Sequence, residues 1–229
     1  VTINGERVPS AEAEVREVQL DLIPADMVQA VEVNKTLTAD MDADAIGGSV
    51  NIITRAAPPG RRVSLTVGSG YNMLSEKGMG VFSGIYGERF ADGRLGLILS
   101  GSYFNHHLGS DNIEAAWEQD DAGNAYVDEF QVREYQIRRL RKSASMALDY
   151  RLGDNSVFTW RSTVNQRNDW ENRFRTTYIL GEPDAAGVVA DGEIRRETKG
   201  GGPRSNLNNA RLEDQRMQSH SLSGQHLLA

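Results

Sequence analysis

Ala45-Ile46-Gly47-Gly48-Ser49-Val50-Asn51-Ile52-Ile53-Thr54-Arg55 decides how the rest of the chain is read. Two adjacent glycines open it, and such a pair allows a turn that no residue bearing a Cβ enters cheaply. Behind them Val50, Ile52 and Thr54 alternate with Asn51, Ile53 and Arg55. This β-branched run predicts a strand buried on at least one face, over 47–55. Upstream, residues 31–34 predict another strand. Pro24 presets a helical φ and Asp26 favours a helix N-terminus, so 24–30 predicts a short helix. Val1 to Val8 reads as two short strands about Asn4-Gly5, the strongest short hairpin signal. Residues 1–57 thus predict a small α+β unit. Pro58-Pro59 ends it, because two prolines remove two ladder donors.

Beyond Gly60 the period changes to two. Val63, Leu65, Val67, Ser69 and Tyr71 alternate with Ser64, Thr66, Gly68 and Gly70. Met146, Leu148, Tyr150 and Leu152 alternate with Ser145, Ala147, Asp149 and Arg151. Phe158, Trp160 and Val164 alternate with Thr159, Arg161 and Thr163. One face is apolar and aromatic; the other is small, polar or charged. Six strands are predicted, at 61–71, 77–90, 94–106, 130–152, 156–168 and 212–229. Short turns at Asp92-Gly93 and Asp154-Asn155 alternate with long polar connections, 105–129 and 168–211. That asymmetry is the pattern of outer-membrane barrels, whose strands are only half apolar. The Arg-dense run 132–142 is expected to project above the membrane or to face the lumen.

Composition narrows the class. The 229 residues carry a net charge of −7 and no cysteine. There is no basic stripe for nucleic acid, no thiolate site and no disulfide. No apolar run approaches the roughly 18 residues of a transmembrane helix. The chain opens at Val1 with no charged-then-apolar leader, and is expected to start inside a longer protein. Six strands fall short of the about 22 that close a plugged transporter, and an open edge in lipid leaves backbone groups unpaired. A fragment cut at both ends is expected.

The order Ile23-Pro24-Ala25-Asp26-Met27-Val28, then Val31-Glu32-Val33, then the 45–55 stretch resembles the end of the plug domain of TonB-dependent outer-membrane receptors. It covers about the first quarter of the chain. Asp42-Ala43-Asp44-Ala45-Ile46-Gly47-Gly48 is most similar to the group often tied to carbohydrate uptake. The resemblance implies a mainly β fold: 1–57 as the C-terminal half of the plug, and 58–229 as the first strands of a transmembrane barrel with two long outer loops. It implies Gly47, Gly48, Asn51 and Arg55 as the structural plug motif. It also implies energised uptake of a large nutrient, an oligosaccharide first, at the cell outer membrane. The partners are a TonB energy-coupling complex reached through a segment N-terminal to this one, outer-membrane lipid and the nutrient. No cofactor, catalysis or nucleic acid is implied. A ferric-siderophore or cobalamin receptor is the alternative within transport; a soluble β-rich glycan-binding protein is the alternative of another class.

Other motifs have plainer readings. Asp40-Met41-Asp42-Ala43-Asp44 resembles the start of a calcium loop, but the sixth and twelfth positions hold Ala45 and Asn51 instead of Gly and Glu. Gly47-Gly48 lacks the following helix and Lys-Ser/Thr of a phosphate loop. His106-His107 would point to opposite faces of a strand. Trp117, Glu118, Asp120 and Asp121, with Asn168, Asp169 and Trp170, mix rings with carboxylates and amides. On loops held by a rigid scaffold they read as a sugar platform, the ring stacking and the polar groups binding hydroxyls; the plain reading is solvated surface with an interfacial aromatic.

Overall fold

The computed structural model describes residues 1–8, 10, 20, 23, 25–36, 47–201, 207 and 210–227. Pro24, the Asp40–Asp44 run, Ala45, Ile46, Gly202, Leu228 and Ala229 lie outside the described residues. The protein is mainly β and forms two sheets.

The smaller sheet has the order β2 (Glu6–Arg7), β1 (Thr2–Ile3), β4 (Ser49–Thr54), β3 (Val28–Asn34). β1 runs parallel to β4, and the other pairs are antiparallel. The Asn4-Gly5 turn forms as read, with both residues at positive φ, 51° and 87°. Asn4 then bridges to the far strand: its Nδ2 donates to Thr54 Oγ1 at 3.0 Å and its Oδ1 accepts from the Thr54 amide at 3.0 Å. The helix expected over 24–30 is corrected. Ala25–Met27 is a 3₁₀ turn, and Val28 already pairs with Thr54. Local Pro and Asp signals are weak against a strand partner that takes up backbone donors from Val28 onward. The α component of the predicted α+β unit is therefore absent from the described residues.

The larger sheet is antiparallel and seven-stranded: β5 (Arg62–Asn72), β6 (Lys77–Phe90), β7 (Leu95–Gln119), β8 (Ala125–Leu152), β9 (Ser156–Ile179), β10 (Glu193–Lys199) and β11 (Arg211–His226). β10 and β11 share the outer edge of β9: β11 covers Ser156–Glu171, and β10 covers Arg173–Ile179. The sheet does not close among the described residues. Its strands outrun the prediction, and β10 was not foreseen. The expected long loop at 105–129 is largely ladder, and the one at 168–211 is ladder over 168–179 and 193–199. The β7–β8 hairpin turns only at Asp120–Asn124, and β9 continues through Trp170 to Ile179.

Register sorts the residues into faces. Leu97 lies opposite Leu148, Leu148 opposite Trp160, and Trp160 opposite Leu222. The next rung runs Leu95, Tyr150, Phe158, Gly224, and others add Tyr86 beside Val63, and Phe82 beside Val67 and Tyr103. This face is apolar and uncovered: Val63, Leu65 and Val67 are 69, 65 and 72% exposed, and Leu222 is 78% exposed. The opposite face carries Ser100, Ser145, Asp149, Arg161, Thr163 and Asn165.

The small sheet sits on that polar face. Its core joins Ile3, Ile23, Met27 and Ile52 to Met217 of β11. Met27, Thr54 and Arg55 meet the wall along a seam with Ile98, Ser100, Ala147, Arg161 and Thr163. The Ala57-Pro58 link packs onto two wall glycines. A Cβ on Gly96 would stand 2.7 Å from that of Ala57, and one on Gly87 would stand 2.7 Å from Pro58 Cδ.

Candidate functional site

Gly47, Gly48, Asn51 and Arg55 differ in their structural roles. Gly48 has φ +131°, and a Cβ there would come 2.6 Å from the carbonyl oxygen of Asn34. Gly47 has neither constraint, since a Cβ there would meet nothing within 4 Å. The need for glycine therefore rests on Gly48 alone. Asn51 ties three strands. Its Oδ1 accepts from the Gly5 amide at 2.9 Å and the Thr2 hydroxyl at 3.0 Å, while Nδ2 donates to Glu32 Oε2 at 3.1 Å. The Arg55 amide donates to Met27 O at 3.0 Å, holding its side chain at the seam with the large sheet.

The predicted sugar platform is divided by the fold, and its members stand on or beside strands. Trp117 lies on β7 next to a register shift after Ala116, and is 64% exposed. Trp170 lies on β9 opposite Arg138, which in turn lies opposite His107. Trp117 is ten residues farther along β7 than His107, about 33 Å at ~3.3 Å per residue. The two rings cannot share a ligand sugar. Trp170 is covered by the Arg138 guanidinium, 5.1 Å from the ring centre, a cation–π arrangement.

The carboxylates also divide. Asp120 closes the β7–β8 turn, accepting from the amides of Ala122 at 2.9 Å and Asn124 at 2.7 Å, and from Asn124 Nδ2 at 2.8 Å. The Asn124 side chain first, then these amides, hold its carboxyl below the usual aspartate range. Glu118 stands opposite Tyr126, and Asp121 is exposed at the tip. Asn168 and Asp169, adjacent on β9, face opposite sides.

Asp169 belongs to an ionic lattice on the polar face that sequence reading missed. Arg139 donates to it from Nε at 2.9 Å and from Nη2 at 2.7 Å, a charge-assisted, two-pronged contact. Arg167 approaches the same carboxylate at 3.6 Å and reaches Glu213 at 2.9 Å. Farther along, Lys199 pairs with Glu171 at 3.1 Å, Arg175 with Glu197, and Arg133 with Glu114 at 2.6 Å. The available signal was the period: Arg167, Asp169, Glu171, Arg173 and Arg175 are charged at every odd position. At the other end, Arg89 and Asp149 pair at 2.8 Å, and Arg89 also donates to the carbonyl of Ala57 at 3.4 Å. That pair clamps the link between the sheets.

Between these ion pairs lies a patch of buried amides. Asn165, 2% exposed, has neither Oδ1 nor Nδ2 bonded among the described residues, and Gln215 Oε1 is likewise buried without a partner. Their surroundings suit water or the hydroxyls of a ligand. Among the described residues, no three His, Asp or Glu side chains group as metal ligands.

No family model, no curated protein and no solved structure matches this chain.

Proposed function

We propose that this chain is part of a TonB-dependent receptor that imports a large nutrient, an oligosaccharide first, across the bacterial outer membrane. One observation carries the reading: the large sheet leaves its apolar face bare and covers its polar face with the small sheet. A water-soluble domain buries its apolar face against another layer. A transmembrane barrel turns that face to lipid and keeps its interior polar. The small sheet then takes the place of the plug, seated against a wall of Ser, Thr, Asn and Arg. The unpartnered amide of Asn165 and the unpartnered Oε1 of Gln215 support a hydroxyl-rich ligand inside rather than an apolar one. The turns at Asp92-Gly93 and Gly153-Asn155 lie at one end of the sheet; the β7–β8 tip and the 180–192 connection lie at the other. The first end is periplasmic and the second is outside.

Cysteine labelling on intact cells tests the topology. Asp121→Cys and Ala190→Cys in the full-length protein are expected to react with an impermeant maleimide, and Asp92→Cys only after lysis. Labelling at 92 with silence at 121 would refute the orientation. Uptake assays on a panel of oligosaccharides and iron chelates, in cells lacking and then regaining the protein, separate the oligosaccharide reading from the ferric-siderophore one.

A further inference from the structure

On the bare face of the large sheet, two groups of exposed apolar residues stand at different heights, with Leu212, 50% exposed, on the His107 rung between them. The first is the band between the Leu95 and Tyr103 rungs. The second lies about 33 Å farther along β7, ten residues at ~3.3 Å each. There Ile113 stands opposite Val132, and Ala115 opposite Phe130; Phe130 stands opposite Tyr178, and Tyr178 opposite Ile194. Ile113 is 66% exposed and Ile194 is 63% exposed, and the Phe130 and Tyr178 rings stand 6.2 Å apart. The rungs between the groups are polar on β7, with Asn105, His107 and Asp111, and mixed on its neighbours, where Glu134 and Arg138 stand with Leu140, Trp170, Leu212 and Phe174. The β6–β7 ladder ends at Asn105 and the β5–β6 turn reaches β7 only as far as His107 and Gly109, so the patch sits on a projecting four-stranded sheet. The reverse face of that sheet is taken up by the Arg133–Glu114 and Arg175–Glu197 pairs. A contiguous apolar patch on one face of such a sheet marks an interaction surface.

We propose that this second patch pairs with the same patch on a second copy of the protein, side by side in one membrane. The inference rests on the membrane reading above. Both groups lie on one face, so if the band meets lipid the patch points sideways above the membrane surface. Only a neighbour standing in the same membrane and rising as high can reach it. A second copy related by a two-fold axis along the membrane normal keeps every residue at its own height. Such an interface is self-complementary, each patch meeting itself. The axis also exchanges left for right, so the β7 side of one patch faces the β10 side of the other. On the patch face, Asp111 flanks the β7 side and Arg196 the β10 side, one rung apart; Arg196 lies opposite Thr176, and Thr176 opposite Val132. The two-fold arrangement brings each Asp111 toward the Arg196 of the other copy, twice.

Single cysteines in the full-length protein test this, and these 229 residues contain none of their own. Val132→Cys, near the axis, is expected to give a cross-linked species of twice the protein's mass with a short bis-maleimide on intact cells. Asn112→Cys, on the opposite face of β7, is expected to give none. Added to Val132→Cys, Asp111→Arg or Arg196→Glu alone should lower the yield about five-fold, consistent with loss of an exposed charge pair. The two together should restore it. A Val132→Cys yield no higher than that of Asn112→Cys, with Asp121→Cys still labelled from outside, overturns the pairing and leaves the membrane reading standing. A cross-linked species of any other mass also overturns it. Silence of Asp121→Cys on intact cells overturns both.

Discussion

Gly48→Ala is the sharpest single perturbation of the small sheet. At φ +131° the backbone lies where essentially only glycine is found, and a non-glycine residue there costs about 1–3 kcal/mol. The added Cβ would also stand 2.6 Å from the Asn34 carbonyl oxygen. That atom is backbone at the end of β3, so relief requires opening the β3–β4 ladder where Asn34 pairs with Ser49. The two effects together predict a loss of about 2 kcal/mol or more in local stability. Hydrogen exchange reads this directly, because local opening sets the rate. Amides of 28–34 and 49–54 should exchange about 30-fold faster, the factor that about 2 kcal/mol corresponds to. Gly47→Ala is the internal control: with open space around it and no positive φ, it should leave those rates nearly unchanged. Equal effects at the two glycines, or a silent Gly48→Ala, would refute the assignment of the strained turn to Gly48.

Two further outcomes follow from the site geometry. Asp149→Asn keeps the shape but removes the charge facing Arg89, so it should cost about 1.5–3 kcal/mol, as for other hydrogen bonds to charged groups. It should also speed hydrogen exchange at the Ala56 and Ala57 amides, in the link that Arg89 holds; unchanged rates there would exclude the clamp. Asp120 has a carboxyl pKa lowered by folding, so its contribution to the β7–β8 turn is complete above the ordinary aspartate value of about 3.9 and is lost as pH falls through the lower folded value. Protection of the Ala122 and Asn124 amides relative to their intrinsic exchange rates should fall in that acid window, and Asp120→Ala should abolish that change in protection.

What was legible in the sequence is what one-sided burial writes into it. The alternation of Leu148 and Trp160 against Asp149 and Arg161 could be read because one face of those strands is apolar. The distal halves of β7, β8 and β9 carry that code at only a few rungs. Glu114-Ala115-Ala116-Trp117-Glu118 is exposed on both faces of an edge strand, so its composition looks like loop although its backbone is fully laddered. The helix at 24–30 failed because its signals are local, whereas the pairing of Val28 with Thr54 spans the small sheet. The ionic lattice was hidden because its partners come from different strands: Arg139 from β8, Asp169 from β9, Glu213 from β11. Asn168, Asp169 and Trp170 looked like one cluster in sequence, but strand geometry turns neighbours to opposite faces.

A nitroxide scan over 145–152 of the full-length protein in lipid bilayers tests the central claim most directly. It measures collisions with oxygen, which concentrates in lipid, and with a water-soluble nickel complex. Met146, Leu148 and Tyr150 lie on the bare apolar face, and Ser145, Ala147 and Asp149 on the face that carries the small sheet. Oxygen collisions should peak at 146, 148 and 150 with a period of two, while the nickel complex stays excluded from those positions. Free access of the nickel complex to 146, 148 and 150 would contradict a membrane-facing wall.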